Sequence, residues 1–463
     1  MSSNASGSGA GREGSLEAPT RHPLDWNTPG FYDEGALTKE LERVFDICHG
    51  CRRCFSLCNA FPTLFDAVDA TPTGEVASVD RKVFGQVVDH CYLCDMCFMT
   101  KCPYVPPHPW NVDFPHLMLR AKAARTRKEG IGLRNRALAA TDAVGRIAGI
   151  PVVAQIVNAV NHSRPGRVLL ESALGVDVTA PVPRYYSRTA RKRLRRLGTV
   201  AAAEADAGGG AAPAAARARE ETTGKVALFT TCYGNRNQPQ LNEDLVVVLE
   251  HNGIAVALLA YERCCGMPRL ELGDLEGVAR LKDHNVPQLL RAIDSGFDIL
   301  APIPSCVLMF KQELPLMFPD DAGVRRVANR IFDPFEYLML RHRAGLLRTD
   351  FKRSLGKVSY HVPCHLRVQN IGLKTRDLLR LVPDTTVEPI ERCSGHDGTY
   401  GVKKEFRAAS MKIGRPVMQR IESAAADHYA SDCPMAGEQI ASGLATPREP
   451  EHPLRLLRLA YGL

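Results

Sequence analysis

Hydrophobic positions change their spacing several times along the chain, and each change marks a boundary. Residues 1–35 hold few apolar positions in a Ser/Gly-rich and then Pro-punctuated context, which predicts a disordered or loosely attached tail. From 36 to 118 apolar residues recur in short helical runs, predicting a mainly helical domain. Helical spacing continues from 119 to 198 in an Arg- and Ala-rich setting, a basic helical region. Residues 199–224 are Ala/Gly-rich with too little large apolar surface to offset the entropy of ordering, so they read as a linker. Beyond them the texture changes to short apolar runs at 226–230, 254–259 and 299–303 alternating with helical segments. This predicts an α/β domain over 225–345 with mainly parallel strands. Runs at 358–362, 387–390 and 428–430 repeat the plan over 346–463, so the expected architecture is multidomain, with a helical start and two α/β domains.

Charge adds a second distinction. The net +8 of the 463 residues is local: residues 120–196 contain 17 Lys/Arg against 4 Asp/Glu, a net of +13, which leaves −5 elsewhere. The longest apolar stretch, residues 137–160, contains Asp142 and Arg146 and is broken by Pro151, so no transmembrane helix is expected. Its plain reading is a pair of amphipathic core helices; the alternative is peripheral docking on an anionic membrane or an acidic partner. The run Arg191-Lys192-Arg193-Leu194-Arg195-Arg196 comes with no nucleic-acid-reading module, and no nucleic-acid partner is expected. Gly9, Gly11 and Gly14 form a G-x-G-x-x-G with no strand before it and no helix after it, a chance match.

The chemistry lies in fifteen cysteines. A secreted disulfide scaffold is short, cysteine-dense and preceded by an apolar leader; this chain is long, its cysteine count is odd and its first thirty residues hold no apolar run. The expected location is cytoplasmic, with the inner face of the cytoplasmic membrane as the peripheral alternative. In a reducing compartment clustered cysteines bind metal or do redox chemistry more often than they staple a fold.

Eight cysteines form two quartets, Cys48-x2-Cys51-x2-Cys54-x3-Cys58 and Cys91-x2-Cys94-x2-Cys97-x4-Cys102-Pro103. Three thiolates at two-residue gaps can wrap one corner of a cube, and the fourth ligand must come from elsewhere. In two-cluster ferredoxins the remote cysteine of each motif serves the other cluster. That crossing assigns one [4Fe-4S] cluster to Cys48, Cys51, Cys54 and Cys102, and the other to Cys91, Cys94, Cys97 and Cys58. Zinc prefers paired C-x2-C knuckles, so a third cysteine at the same interval, twice, fits cubanes better. Asn59 stands where the ferredoxin pattern has proline, and the second quartet carries one extra residue before Cys102. His49, Arg52 and Arg53 inside the first motif, against Asp95 and Lys101 in the second, predict the higher reduction potential for the cluster on the first triad.

The other seven follow the strand-like runs. Cys232, Cys264-Cys265 and Cys306 lie just past the three runs of the first α/β unit; Cys364, Cys393 and Cys433 do so in the second. Equivalent cysteines are offset by 132, 129 and 127 residues, which indicates duplication. In open parallel sheets the carboxyl ends of strands line the ligand crevice. The first copy has four thiols, enough for a further cluster or a disulfide-active site. The second has three, with Ser394 matching Cys265 and with His361, His365 and His396 nearby. Cys364, Cys393, Cys433 and His396 make a candidate zinc or modified-cluster set, and a degenerate scaffold copy is the alternative.

Two ferredoxin-type quartets followed by two Cys-Cys-Gly units resemble a known family. It comprises the D subunit of heterodisulfide reductase and the iron-sulfur subunits of anaerobic glycerol-3-phosphate dehydrogenase and of glycolate oxidase. The motifs that carry the resemblance are CHGCRRCFSLC, CYLCDMCFMTKCP, ERCCGMP with Cys306, HVPCH, ERCSGHDGTYG and SDCP. It implies a two-cluster ferredoxin-type domain over 36–118 followed by two duplicated α/β Cys-Cys-Gly domains, the second one degenerate. Heterodisulfide reductases hold unusual clusters in these domains with a lone cysteine, the pair and a C-x2-C. Here Ile303 and Ala430 stand where that C-x2-C would begin, so heterodisulfide cleavage does not carry over.

The leading expectation is the iron-sulfur component of an oxidoreductase complex, an electron-transfer subunit. It would take electrons from a partner dehydrogenase, a flavoprotein, and pass them to a quinone or another acceptor. No flavin or nicotinamide fingerprint is present. The alternatives are a disulfide reductase with chemistry at Cys264 and Cys265, and a redox or metal sensor.

Overall fold

The computed structural model describes residues 18–100, 102–200 and 219–463. The glycine match at 9–14, and residues 201–218 of the expected linker, lie outside these residues.

The N-terminal domain is a helical layer. Asp33 accepts from the Ala36 N–H (2.6 Å) and starts the helix Glu34–Cys51. Helices Ala60–Asp69, Arg81–His90 and Phe114–Glu129 pack on it through Phe45, Phe61, Phe65, Phe84 and Phe114, all buried. Ring centroids stand 4.9 Å apart in Phe45–Phe84 and 4.7 Å apart in Phe61–Phe114.

Residues 18–35 correct the expectation of a loose tail. Leu24, Trp26 and Phe31 are buried, and the Trp26 indole N–H donates to the Met317 carbonyl at 2.9 Å. Arg21 reaches Asp95 at 2.5 Å and Asp113 at 2.8 Å, an ion-paired triad at the foot of the second cysteine quartet. Asp95 and Glu313, the latter 3.7 Å from Arg21, are buried, and carboxylates buried this way need a cation, which the segment supplies. A composition argument does not see one arginine aimed at two acids.

The basic region forms helices Leu133–Ala139, Thr141–Ala148, Pro151–His162 and Arg164–Leu174. Thr141–Ala148 and Pro151–His162 meet at 105°, and no single helix among the described residues is long and apolar enough to cross a membrane. The expected core pairing fails for part of this segment: Ile147, Ile150, Val152, Ile156, Val168 and Leu169 are exposed.

Each α/β unit builds one small parallel sheet. In the first, β1 (Lys225–Leu228), β2 (Ala255–Leu258), β3 (Asp298–Leu300) and β4 (Ile331–Phe332) lie in the order β2-β1-β3-β4. In the second, β5 (Gly356–His361), β6 (Thr385–Ile390) and β7 (His428–Ser431) lie in the order β6-β5-β7. The first strand is central in both, so the order β2-β1-β3 is repeated, as the cysteine offsets imply. Chain direction around the sheet reverses between β1 and β3 and between β5 and β7. Such a switch point opens a crevice at the carboxyl ends of the strands.

Two features escaped the pattern. At two residues β4 is too short to show alternation. The helix Pro453–Tyr461 leaves the second unit and packs on Pro239–His251 of the first. There Arg458 pairs with Asp244 (2.8 Å) and Tyr461 stacks on Phe351 (4.7 Å). One buried core runs from Leu24 to Tyr461, through the helical domain and both sheets, and a second, smaller one of Ile390, Val417, Met418, Ile421, Tyr429 and Ile440 lies in the second unit.

Candidate redox centre

The first quartet begins on the last turn of Glu34–Cys51. Arg52 adopts a left-handed conformation (φ 53°), its N–H donating to the Cys48 carbonyl at 2.8 Å, and this reversal carries Cys54 and Cys58 back past the helix end. Cys48, Cys51, Cys54 and Cys102 line one cavity together with Ile47, Arg53, Phe61, Pro103, Tyr104 and Val112. Burial, and then the neighbouring Cys54, Cys102 and Cys51, push the Cys48 thiol well above its ordinary range.

In the second quartet Leu93 (φ 57°) and Asp95 (φ 58°) are both left-handed, so the chain coils tightly between Cys91, Cys94 and Cys97. Burial and then the charges of Cys91, Cys94 and Cys393 raise the Cys58 thiol. Cys97 has Cys54, Cys91, Cys94 and Cys58 around it. Cys102 thus lines a cavity with the first triad, and the neighbours of Cys58 include Cys91 and Cys94 of the second. Burial pushes Cys91 up to about 12, against the pull of Lys122, whose ammonium donates to the Cys91 carbonyl.

The charge contrast between the quartets is smaller in the fold than in the sequence. Asp69 takes up Arg52, and Arg21 takes up Asp95, while Lys122 brings a buried cation to the second group.

In the first α/β unit, Cys232 opens the helix Cys232–Arg236, Cys264-Cys265-Gly266 follows β2, and Cys306 lies on the helix Pro304–Leu308. Cys264 lies beside Cys232 and Cys265, and Cys265 beside Cys306, so the four thiols are gathered in one place, with the buried Thr141 hydroxyl next to them unpartnered. Cys232 and Cys265, with the Gly266 N–H, hold Cys264 well below the usual thiol range. The Cys264 N–H donates to Asp142 at 2.8 Å, so the first turn of Thr141–Ala148 covers the site.

The second unit divides its cysteines. The Cys364 thiol lies beside Cys393 and, across the domain boundary, beside Cys94; with burial they push it well above the usual thiol range. The Tyr92 hydroxyl lies 3.6 Å from the Cys393 sulfur, the Gly395 N–H donates to that sulfur at 3.3 Å, and the thiol reaches Asp397 at 3.5 Å. The Cys364 bond leads the contacts that lower Cys393 to about 6. For Cys433 burial leads, raising it to about 11, against the amides of Ala436 and Met435 and with the carboxylates of Glu438 and Asp432. His361 is held on both sides, by Ser431 (2.9 Å) and the Arg392 carbonyl (3.0 Å). His396 is buried with both ring nitrogens unpartnered. Among the described residues no three His, Cys, Asp or Glu side chains converge as a single metal ion requires, at Cys364, Cys393, Cys433 and His396 or elsewhere.

Comparison with known proteins adds the lineage. Residues 226–311 and 358–440 each match the cysteine-rich domain family CCG, and all seven C-terminal cysteines fall within these segments. A subunit of the anaerobic glycerol-3-phosphate dehydrogenase of Escherichia coli K12 is 32% identical over 350 residues, covering 74% of this chain and 80% of that protein. The chain belongs to the family of this dehydrogenase subunit. Lactate utilization protein A of Bacillus pumilus is 28% identical over 220 residues, 45% of this chain and 87% of that protein. The same protein of Oceanobacillus iheyensis is 29% identical over 187 residues, 39% of this chain and 73% of that protein.

Within this member of the dehydrogenase-subunit family, sequence reasoning missed the groups that connect the sites. Tyr92 and Lys122 look like ordinary core residues, and Thr141 and Asp142 look like an ordinary helix start. Only Tyr92 carried a signal, its place between Cys91 and Cys94.

Proposed function

We propose that this protein is the electron-relay subunit of an oxidoreductase complex, holding two [4Fe-4S] clusters. Cys48, Cys51, Cys54 and Cys102 would hold one, and Cys91, Cys94, Cys97 and Cys58 the other. The observation that carries the reading is the crossed grouping of the two quartets, each remote cysteine standing with the opposite triad. The donor chemistry fits. The first cavity is walled by sulfur and apolar side chains with one arginine and no carboxylate, so nothing there competes with thiolates for iron. Buried thiols that resist ionisation against one another become thiolates once metal charge arrives, releasing protons. Bound there, the clusters supply one-electron carriage between a donor and an acceptor.

The chain's own residues determine the rest. Arg21, Asp95 and Asp113 fix the second triad to the helix Phe114–Glu129, and Lys122 offsets negative charge beside it. The four thiols of the first unit, Cys232, Cys264, Cys265 and Cys306, form a further redox or cluster site beneath Thr141–Ala148. The exposed apolar residues of the bent helix pair, in a region of net charge +13, suit an anionic lipid surface. Electrons from a flavoprotein dehydrogenase would leave there for a membrane quinone. The relatives named for dehydrogenase and lactate-utilization chemistry support a redox role.

Cys102→Ser tests the crossing. The paramagnetic signal of the cluster on the first triad is expected to vanish or change while the other persists, with iron falling by up to about half. A change confined to the cluster on Cys91, Cys94 and Cys97 would contradict the assignment.

A further inference from the structure

The second α/β unit has lost the makings of a four-thiol site: Ser394 replaces one cysteine of the pair, and the charged neighbours of Cys433 are Glu438 and Asp432 rather than other thiols. Two thiols remain, and they lie side by side: Cys364 and Cys393 each stand three residues past a pair of facing residues on adjacent strands, His361 and Ile390. Cys94 of the second quartet neighbours Cys364 from outside the unit. Tyr92, two residues before Cys94, binds the sulfur of Cys393 at 3.6 Å. The neighbours of Cys58 include Cys393 as well. The α/β unit therefore sets its two surviving thiols directly against the residues proposed to hold the second cluster.

We propose that Cys364 and Cys393 are a redox-active dithiol/disulfide pair wired to the relay through Cys94. The inference rests on the reading of Cys91, Cys94, Cys97 and Cys58 as a cluster site. Two adjacent thiols are too few to hold a cluster and are what a disulfide needs. In the oxidised pair one Cys364–Cys393 S–S bond is present. Reduction breaks it: the pair takes up two electrons of the relay, one at a time across Cys94, and two protons, and ends as two thiols. Oxidation reverses this, with two electrons leaving across Cys94 and two protons leaving the sulfurs. The partner dehydrogenase, a flavoprotein, is the class of reductant that supplies the electrons. The pair would let one-electron carriers store electrons two at a time, the unit in which organic acceptors such as quinones take them up.

The two cysteines fall on separate tryptic peptides, residues 358–367 and 393–403, so their linkage can be read by mass spectrometry. The cluster-loaded protein would be poised anaerobically with thionine or dithionite, alkylated in denaturant and digested. The expected result is a linked 358–367/393–403 pair in the oxidised sample, replaced by two alkylated peptides after dithionite. The reductive titration should take two more electron equivalents than the clusters alone require. Cys393→Ser should abolish the linked peptide and those two equivalents while iron content and both paramagnetic signals stay. Two alkylated peptides at every potential, in protein with full cluster iron, would overturn the proposal and leave the cluster reading intact. Loss of a cluster's worth of iron in Cys393→Ser would also overturn it, by making Cys393 a ligand. Absence of cluster iron from the wild type would overturn the wiring together with the reading beneath it.

Discussion

At the scale of single residues, the buried polar groups show how the α/β units keep their sites in place. His361 is 1% exposed, is held at Ser431 and Arg392, and burial lowers it to about 4. A histidine kept neutral in the fold but free to charge in the unfolded chain binds fewer protons when folded. Its contribution is whole above pH 6.5 and declines as pH falls toward 4, by about 1.4 kcal/mol per pH unit. Urea unfolding of the wild type and of His361→Gln between pH 7 and pH 5 should therefore show the wild type losing its advantage as pH falls. A pH-independent difference would contradict the assignment. The cysteines themselves were legible in the sequence, because ligand spacing is local. Their partners were not: Tyr92 meets Cys393 across a separation of 301 residues, and Asp142 meets Cys264 across 122.

At the scale of elements, the strands and the duplication were readable from apolar runs and cysteine offsets, and the fates of two segments were not. Residues 18–35 are held by Arg21 and Trp26, two side chains in a polar stretch. Residues 141–162 look like core helices by composition yet turn isoleucines and valines outward. That face predicts binding to vesicles containing an anionic lipid such as phosphatidylglycerol. Ile147→Glu with Ile156→Glu should reduce co-sedimentation at least tenfold, because each places a charge where the apolar contact forms. Unchanged binding would remove this face from the docking surface. The two motif glycines separate by what surrounds them. Gly395 has φ 74°, and a Cβ there would lie 2.1 Å from the Ser410 carbonyl oxygen. Gly266 has φ 106°, but its nearest neighbours would be 3.6 Å away. Gly395→Ala should cost about 2–4 kcal/mol and Gly266→Ala about 1–2 kcal/mol in denaturant unfolding, with equal costs as the contradicting result.

At the scale of the whole molecule, the duplicated units have been put to different uses. The first gathers four thiols under the basic helical region; the second lays two thiols against the second quartet and sends its last helix back to the first. The sequence displayed the duplication, but the asymmetry of placement depends on packing between domains and is invisible to spacing. The path that results runs from the helical domain to both sheets through one buried core, with the helices that expose Ile147 and Ile156 above the first unit. Its central claim is that the eight N-terminal cysteines hold two four-iron clusters. Iron and acid-labile sulfide quantification on anaerobically purified protein tests this most directly. At least about eight irons and eight sulfides per chain are expected, and about twelve of each when the first α/β unit carries a cluster too. Fewer than about four irons per chain would contradict it.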